Sequence, residues 1–283
     1  MGIIDVRVRL PEELRPKKLS SYQEVYGRYD EVLNVISRGS KTLDELLIEM
    51  KDNSVEFAVI HAEYEYGEMA DALNEAVYEV ISTHPQTFTG FGTTSMNDLR
   101  PMKLVKQVET IHQFNLKGVN LQPVFFDVDP LDSKLYPLYA TASQLGLIVS
   151  FHTGIHYSKK HPIIKNSPLF IDKIACDFPD LKIIACHGGW PWINEMVAVA
   201  RRHSNVFIEF GGIAPKYIGR AGSGWDPLYQ LMNNLLADQI LFGTDWPVMS
   251  YERALIEWNE IGLKKEVLAK FTSLNARNLL GIE

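Results

Sequence analysis

Cysteine is scarce: Cys176 and Cys186 are the only two in 283 residues. That is too few for a disulfide scaffold and fits a reducing compartment. Both read as buried free thiols, with Cys186 turned toward the helix layer because it alternates with His187 along a strand. A basic surplus is also missing, since 28 Lys and Arg face 35 Asp and Glu for a formal charge of −7. This argues against a nucleic-acid footprint, which needs a positive face. No run approaches the ~20 apolar residues of a membrane span. The opening MGIIDVRVRL has no basic segment followed by an apolar stretch, so it does not read as a signal peptide. The expectation is a cytoplasmic protein whose partner is a small anionic substrate rather than nucleic acid or a membrane, with a homodimer as a further expectation.

Several catalytic motifs are absent as well. There is no GxSxG, no GxxxxGK[ST], no Cys-x-x-Cys and no HExxH. Serine-hydrolase, nucleotide-dependent and zinc-ribbon readings therefore have no support. No Pro/Ser-rich linker or low-complexity stretch divides the chain. With 46% hydrophobic and 22% charged residues, the composition is that of an ordinary globular protein. Residues 1–283 are expected to form a single domain.

Eight apolar runs enriched in β-branched residues predict strands at about 3–10, 55–63, 88–96, 116–124, 147–154, 181–189, 205–212 and 240–247. Segments with helical spacing separate them, among them TLDELLIEMKDNS, MKLVKQVETIHQFN and WINEMVAVARRH. Parallel neighbours need crossover helices, so eightfold alternation predicts an α/β fold of the (β/α)8 TIM-barrel type. The tail VLAKFTSLNARNLLGIE reads as a helix pair packed on the outside. Three connections exceed ordinary βα turns. They are 11–42, with Tyr22, Tyr26 and Tyr29; 155–165, with His156, Lys159, Lys160 and His161; and the glycine-rich 211–225. All three follow odd-numbered strands at the catalytic face and are lid candidates.

Three strand-like runs end in a lone polar residue: LIVSFHTG in His152, LKIIACHGG in His187 and ILFGTDWP in Asp245. The carboxyl ends of barrel strands are where chemistry is kept. Strand parity puts Asp5, Arg7 and Arg9 on one face of the first strand and Ile4, Val6 and Val8 on the other. The apolar set is expected to meet the helices, leaving two guanidiniums and a carboxylate pointing inward. The same test groups His61 with Glu63 and Asn120 with Gln122, and adds Glu209 to an inward polar ring. Trp190, Trp192 and Trp246 either wall a pocket for a planar substrate or pack in the core.

The motifs IIDVRVR, VSFHTG, IIACHGGW, ILFGTDWP and SLNARNLLG, in this order, resemble the amidohydrolase-related proteins of the amidohydrolase superfamily. This is the branch that includes aminocarboxymuconate-semialdehyde decarboxylase and related hydrolases, decarboxylases and hydratases of small carboxylated substrates. The resemblance spans almost the whole chain and implies a TIM barrel of the metal-dependent-hydrolase type. It also implies a divalent metal, usually zinc, held by a His-x-His pair of the first strand, the fifth-strand His and the eighth-strand Asp. On that basis His152 and Asp245 match metal ligands, and His187 matches the catalytic histidine. Asp245 would also take a proton from the attacking water.

Arg7 and Arg9 stand where the His-x-His pair belongs. A guanidinium stays protonated and has no lone pair, so neither can ligate a metal. His152, His187 and Asp245 remain as a three-donor set. Two fixed charges nearby would repel Zn²⁺ by several kcal/mol at an effective dielectric of ~20 and ~4–6 Å. The alternative is that the arginines replace the metal's charge, one pairing with Asp245 or Asp5 and the other gripping a substrate carboxylate. The expected function is hydrolysis of a small carboxylated ester, lactone or amide. Asp245 and His187 would be catalytic, and Arg7, Arg9, Asn120 and Gln122 would bind substrate. Decarboxylation or hydration of an unsaturated acid, or a degenerate ligand-binding barrel, are the rivals.

Overall fold

Each of the eight apolar runs contributes a strand, and together they form one parallel sheet in sequential order. The computed structural model describes residues 2–16, 31–33, 41–63, 69–158 and 161–282. Tyr22, Tyr26, Tyr29, Lys159 and Lys160, expected in lid segments, lie outside the described residues. The strands are β1 (Ile3–Arg9), β2 (Val55–His61), β3 (Phe88–Gly92), β4 (Gly118–Leu121), β5 (Ile148–His152), β6 (Ile183–Cys186), β7 (Val206–Glu209) and β8 (Ile240–Leu241). Hydrogen bonds from Val6 N–H to the Phe242 carbonyl at 2.9 Å, Asp245 N–H to Arg7 at 2.9 Å and Arg9 N–H to Trp246 at 3.0 Å join the two ends. These bonds make the sheet a TIM barrel.

The crossover helices form where the 3.6-residue period places apolar side chains on one face. α1 (Leu43–Asp52) begins with a capping box, Thr42 Oγ1 accepting from Glu45 N–H while the Glu45 carboxylate accepts from Thr42 N–H. α2 (Ala70–Thr83), α3 (Pro101–Gln113), α4 (Tyr136–Gln144), α5 (Leu169–Asp177) and α6 (Ile193–Arg202) follow. In α3, Leu104, Val108 and Ile111 are the buried stripe, and Pro101 sits at the first turn where no donor is lost. Cys176 lies on α5 and is exposed, not buried as expected. Its position near the end of the helix puts it beyond the stripe formed by Phe170, Ile171, Ile174 and Ala175.

The interior of the barrel is layered. At the base an apolar cluster joins Ile4, Val6, Val59, Phe91, Ile148 and Leu241. Ala276, Leu279 and Leu280 belong to this same cluster. The tail therefore closes the barrel floor instead of packing wholly outside. It does so through Asn275–Leu280, which follows a π turn at Lys270–Leu274. Phe271 in that turn stays in the outer layer against Trp258 and Phe242.

Strict alternation fails in β1. Asp5 pairs with Ala58 and Val8 with Ile60, so Val6 and Arg7 together oppose the single residue Val59. This is a β-bulge. It places Ile4 and Val6 in the inner cluster, sends Val8 and Asp5 outward, and still brings Arg7 and Arg9 inward. The expectation that Asp5 shares a face with the arginines is thus corrected. Its carboxylate instead accepts hydrogen bonds from Arg7 N–H at 2.8 Å and from Thr244 N–H and Oγ1–H at 3.2 and 2.5 Å.

Candidate active site

Above the apolar floor lies a buried polar layer centred on Arg7, which has no solvent exposure. Its Nη2 donates to Glu63 Oε1 at 2.7 Å and its Nε to Asp245 Oδ1 at 3.2 Å. Nη1 lies 3.4 Å from His61 Nδ1, 3.5 Å from Asn120 Oδ1 and 3.4 Å from Cys186 Sγ. Burial alone would lower the Arg7 pKa, but Glu63, with Cys186 and Asp245, holds it above the ordinary value. Cys186 therefore faces the barrel interior, contrary to the parity reading. The strand ends at Cys186, and His187 enters a left-handed turn (φ 64°) that resets the alternation.

That turn positions the histidine. His187, Gly188 and Gly189 have φ of 64°, 65° and 76° in succession, a conformation in which glycine costs little. A Cβ on Gly188 would meet the Trp225 ring at 2.7 Å, so the position needs glycine for space as well. His187 Nδ1 donates to the Gly211 carbonyl at 2.6 Å. A carbonyl only accepts, so the proton sits on Nδ1 and the Nε2 lone pair is left toward the cavity. Burial, then the Arg7 charge, pushes the His187 pKa down to about 4. The imidazole is neutral near pH 7.

His152 ends β5 with its ring 4.8 Å from that of His187, centroid to centroid. Asn166 Nδ2 donates to its Nδ1 at 3.4 Å, and Phe125 packs edge-on at 5.0 Å. Burial, then His187, holds its pKa well below the usual imidazole range. Asp245 also has left-handed backbone (φ 54°). Non-glycine residues in this region carry strain that is often found at functional sites. Arg9 Nε donates to Asp245 Oδ1 at 3.0 Å and Arg9 Nη2 to Oδ2 at 3.1 Å. Burial pushes the carboxyl pKa up, but Arg9 and Arg7 more than offset this and bring it down to about 2. Asp245 is a clamped anion.

Glu209 is enclosed beside this pair, and burial raises its carboxyl to about 8. It accepts from the backbone N–H of Gly211 and, at 3.4 Å, of His187. A Cβ at Gly243 would collide with Glu209 Oε1, so the glycine makes room for the carboxyl. His61 donates from Nε2 to the Val6 carbonyl at 2.8 Å, and burial, then Arg7, pushes it down to about 3.

A cavity of about 80 Å³ opens over these groups, and Arg9, Gln122, His152, His187 and Asp245 line it. Arg7 and Asn120 lie beneath its floor and are not among its lining residues. Gln122 Nε2 donates to Glu63, leaving Gln122 Oε1 buried without a partner among the described residues. Such an acceptor is costly unless something donates to it. Trp246 is fully buried in the outer layer with its indole N–H 3.3 Å from Glu49, Trp192 faces a separate surface groove, and Trp190 borders an outer chamber. Sequence reasoning missed Phe125, Asn166 and the Gly211 carbonyl. Only the paired glycines Gly211 and Gly212 carried a signal.

The zinc implied by the resemblance does not fit this donor set. Arg7 and Arg9 hold both Asp245 oxygens, and His187 Nδ1 is committed to a carbonyl. Among the described residues, the only compact metal-type trio is Asp172, Cys176 and His203, with ligand atoms within 4.8 Å of one another. It lies on the outer helices, where Arg202 Nη1 already donates to both Asp172 oxygens at 3.0 Å. His152, His187 and Asp245 do not converge that closely.

The barrel, with ionisable groups gathered at the carboxyl ends of its strands, defines a TIM-barrel enzyme. The amidohydrolase family model matches residues 43–282, and the chain belongs to that family. Among solved structures, an uncharacterised TIM-barrel protein from Bordetella bronchiseptica is 26% identical with a TM-score of 0.79, covering 99% of each chain. The 5-carboxyvanillate decarboxylase of Sphingomonas paucimobilis is 18% identical (TM-score 0.73), covering 100% of this chain and 99% of that one. A probable 2-pyrone-4,6-dicarboxylic acid hydrolase of Acinetobacter baumannii, with citric acid bound, is 13% identical (TM-score 0.69), covering 100% of both. Below 25% identity, such likeness speaks for the fold. Among the described residues no helix is long and apolar enough to cross a membrane.

Proposed function

We propose that the chain hydrolyses a carboxylated ester, lactone or amide, with His187 moving the proton and Arg9 supplying positive charge to the substrate. One observation carries this reading: a neutral imidazole, locked by the Gly211 carbonyl, presents its Nε2 lone pair to a cavity that Arg9 also lines. His187 Nε2 takes a proton from water as the water oxygen attacks the carbonyl carbon. The resulting oxyanion lies in the field of Arg9. His187 then returns the proton to the leaving oxygen or nitrogen.

Asp245 supports this cycle as a charge. Held at about 2 by the arginines, it is a weak proton acceptor, but its negative charge favours the imidazolium that forms at His187. His152 orients substrate, and Gln122 Oε1 accepts a hydrogen bond from it. Arg7 and Asn120 support the floor. The reading takes 1–283 as one domain, acting in the cytoplasm on a small anionic substrate.

Decarboxylation of a carboxylated substrate is the second reading. It is favoured by the likeness in fold to 5-carboxyvanillate decarboxylase over nearly the full length of both chains. Product analysis on a panel of carboxylated esters, lactones and aryl acids separates the two, since release of carbon dioxide marks the decarboxylase. With the substrate in hand, His187→Gln is expected to lower kcat by about 10²–10⁴-fold, the usual weight of general acid–base catalysis. Unchanged turnover would remove His187 from the mechanism.

A further inference from the structure

Away from the barrel mouth, one group of side chains has the chemistry of a cation site. Asp172 and Cys176 stand four residues apart on one face of α5. His203, the residue after α6, reaches the same spot, and the ligand atoms of all three lie within 4.8 Å of one another. A tetrahedral zinc, with bonds of ~2.0–2.3 Å, holds its donors roughly 3.3–3.7 Å apart. The set is thus within about 1 Å of convergence, and the exposed Cys176 thiol can turn to close it.

The histidine is fixed in place. His203 N–H donates to the Val199 carbonyl at 3.1 Å, and Gln239 Nε2 donates to the His203 carbonyl at 2.9 Å. The side chain is 11% exposed, with Nε2 2.7 Å from Asp172 Oδ1. Charge and softness select the ion. A thiolate and a carboxylate together balance a divalent cation, and thiolate with imidazole favours zinc over magnesium or calcium. Arg202 Nη1 lies 3.0 Å from both Asp172 oxygens, but its side chain is 62% exposed. An exposed pair adds little and yields to a stronger partner. In this it differs from the enclosed Arg7 that holds Asp245.

We propose that Asp172, Cys176 and His203 form a zinc site that clasps α5 to α6, separate from the catalytic cavity. Binding forms one Zn–S, one Zn–N and one Zn–O bond. The thiol releases its proton to solvent, the imidazole carries its own on Nδ1, and Arg202 swings away from Asp172. Water takes the fourth position. His203 precedes the start of β7, so the site lies toward the face opposite the mouth, where barrel residues serve stability. The metal acts there by favouring the folded chain.

The test titrates cobalt(II), a spectroscopic substitute for zinc, into the full chain after chelator treatment and reduction with a phosphine. One equivalent is expected to bind with a thiolate-to-cobalt charge-transfer band. Cys186 is the only other thiol, so Cys176→Ser assigns the band, which should vanish in this variant. His203→Gln should weaken binding at least about tenfold, since even the outer partners of a metal count for that much. Zinc should raise the urea midpoint of the wild type and leave that of Cys176→Ser where it was. Arg202→Gln, which releases Asp172, should bind cobalt about two- to fivefold tighter, the weight of an exposed pair.

Absence of the band in the wild type, or its persistence in Cys176→Ser, overturns the site. So does a zinc-induced midpoint shift that is equal in the two proteins. Binding that is not tightened in Arg202→Gln removes Asp172 from the donor set and overturns the site in this form.

Discussion

Arg7 is a charged side chain buried beneath the cavity rather than in its wall. Its charge is fully enclosed and shared among Glu63, Asp245, His61 and Asn120. Removing one partner of a buried pair leaves the other uncompensated, which typically costs about 3–5 kcal/mol. Glu63→Leu is therefore expected to destabilise the protein by about that much, read from the midpoint of urea unfolding. A variant as stable as wild type would mean that Asp245 and the neutral acceptors satisfy Arg7 unaided. Arg9, at the cavity wall, lacks this enclosure, so the two arginines, equivalent in sequence as Arg-x-Arg, divide into one beneath the cavity and one in its wall. Parity cannot tell them apart. Depth in the barrel does.

The elements that position the site were legible wherever alternation held. His61 with Glu63 and Asn120 with Gln122 fell on the inner face as their spacing required, and His152, His187 and Asp245 lie at strand ends. Reading failed where the backbone leaves the regular strand. The β1 bulge moved Asp5 outward, and the left-handed step at His187 lets that histidine reach the cavity although Cys186 just before it faces inward with Ile184. No composition signal announces a bulge, because it is held by hydrogen bonds to Thr244, 239 residues away. The turn after β6 did announce itself through two glycines. Gly188→Ala would force a Cβ into Trp225 in a backbone region that L residues avoid. A loss of about 1–3 kcal/mol is expected, together with reduced turnover as His187 shifts. Wild-type stability and kinetics in this variant would mean that the turn tolerates a side chain.

Across the whole molecule, buried titratable groups pull stability in opposite directions with pH. Burial holds His187 at about 4 and His61 at about 3, against an ordinary 6.5, so the unfolded chain binds protons that the native one refuses. Their contribution is lost as pH falls from about 6.5. Asp245, lowered to about 2, adds stability that disappears below its ordinary 3.8. Glu209 and Asp5, raised by burial to about 8 and 7, act the other way. Their contribution is complete below the ordinary carboxylate range and fades as pH rises to those values. Urea midpoints should therefore peak between about pH 4.5 and 6.5 and decline on both sides, with Glu209→Gln flattening the alkaline decline. A steady rise to pH 8 would contradict the enclosed state of these carboxyls. The doubled position in β1 also limits how such a barrel can change over time. Losing one codon from the stretch between Asp5 and Val8 would restore regular pleating and leave every remaining residue on its present side, but only by removing either the Val6 methyls from the floor or the Arg7 charge from the layer above it, so the extra residue is what lets one strand serve both layers.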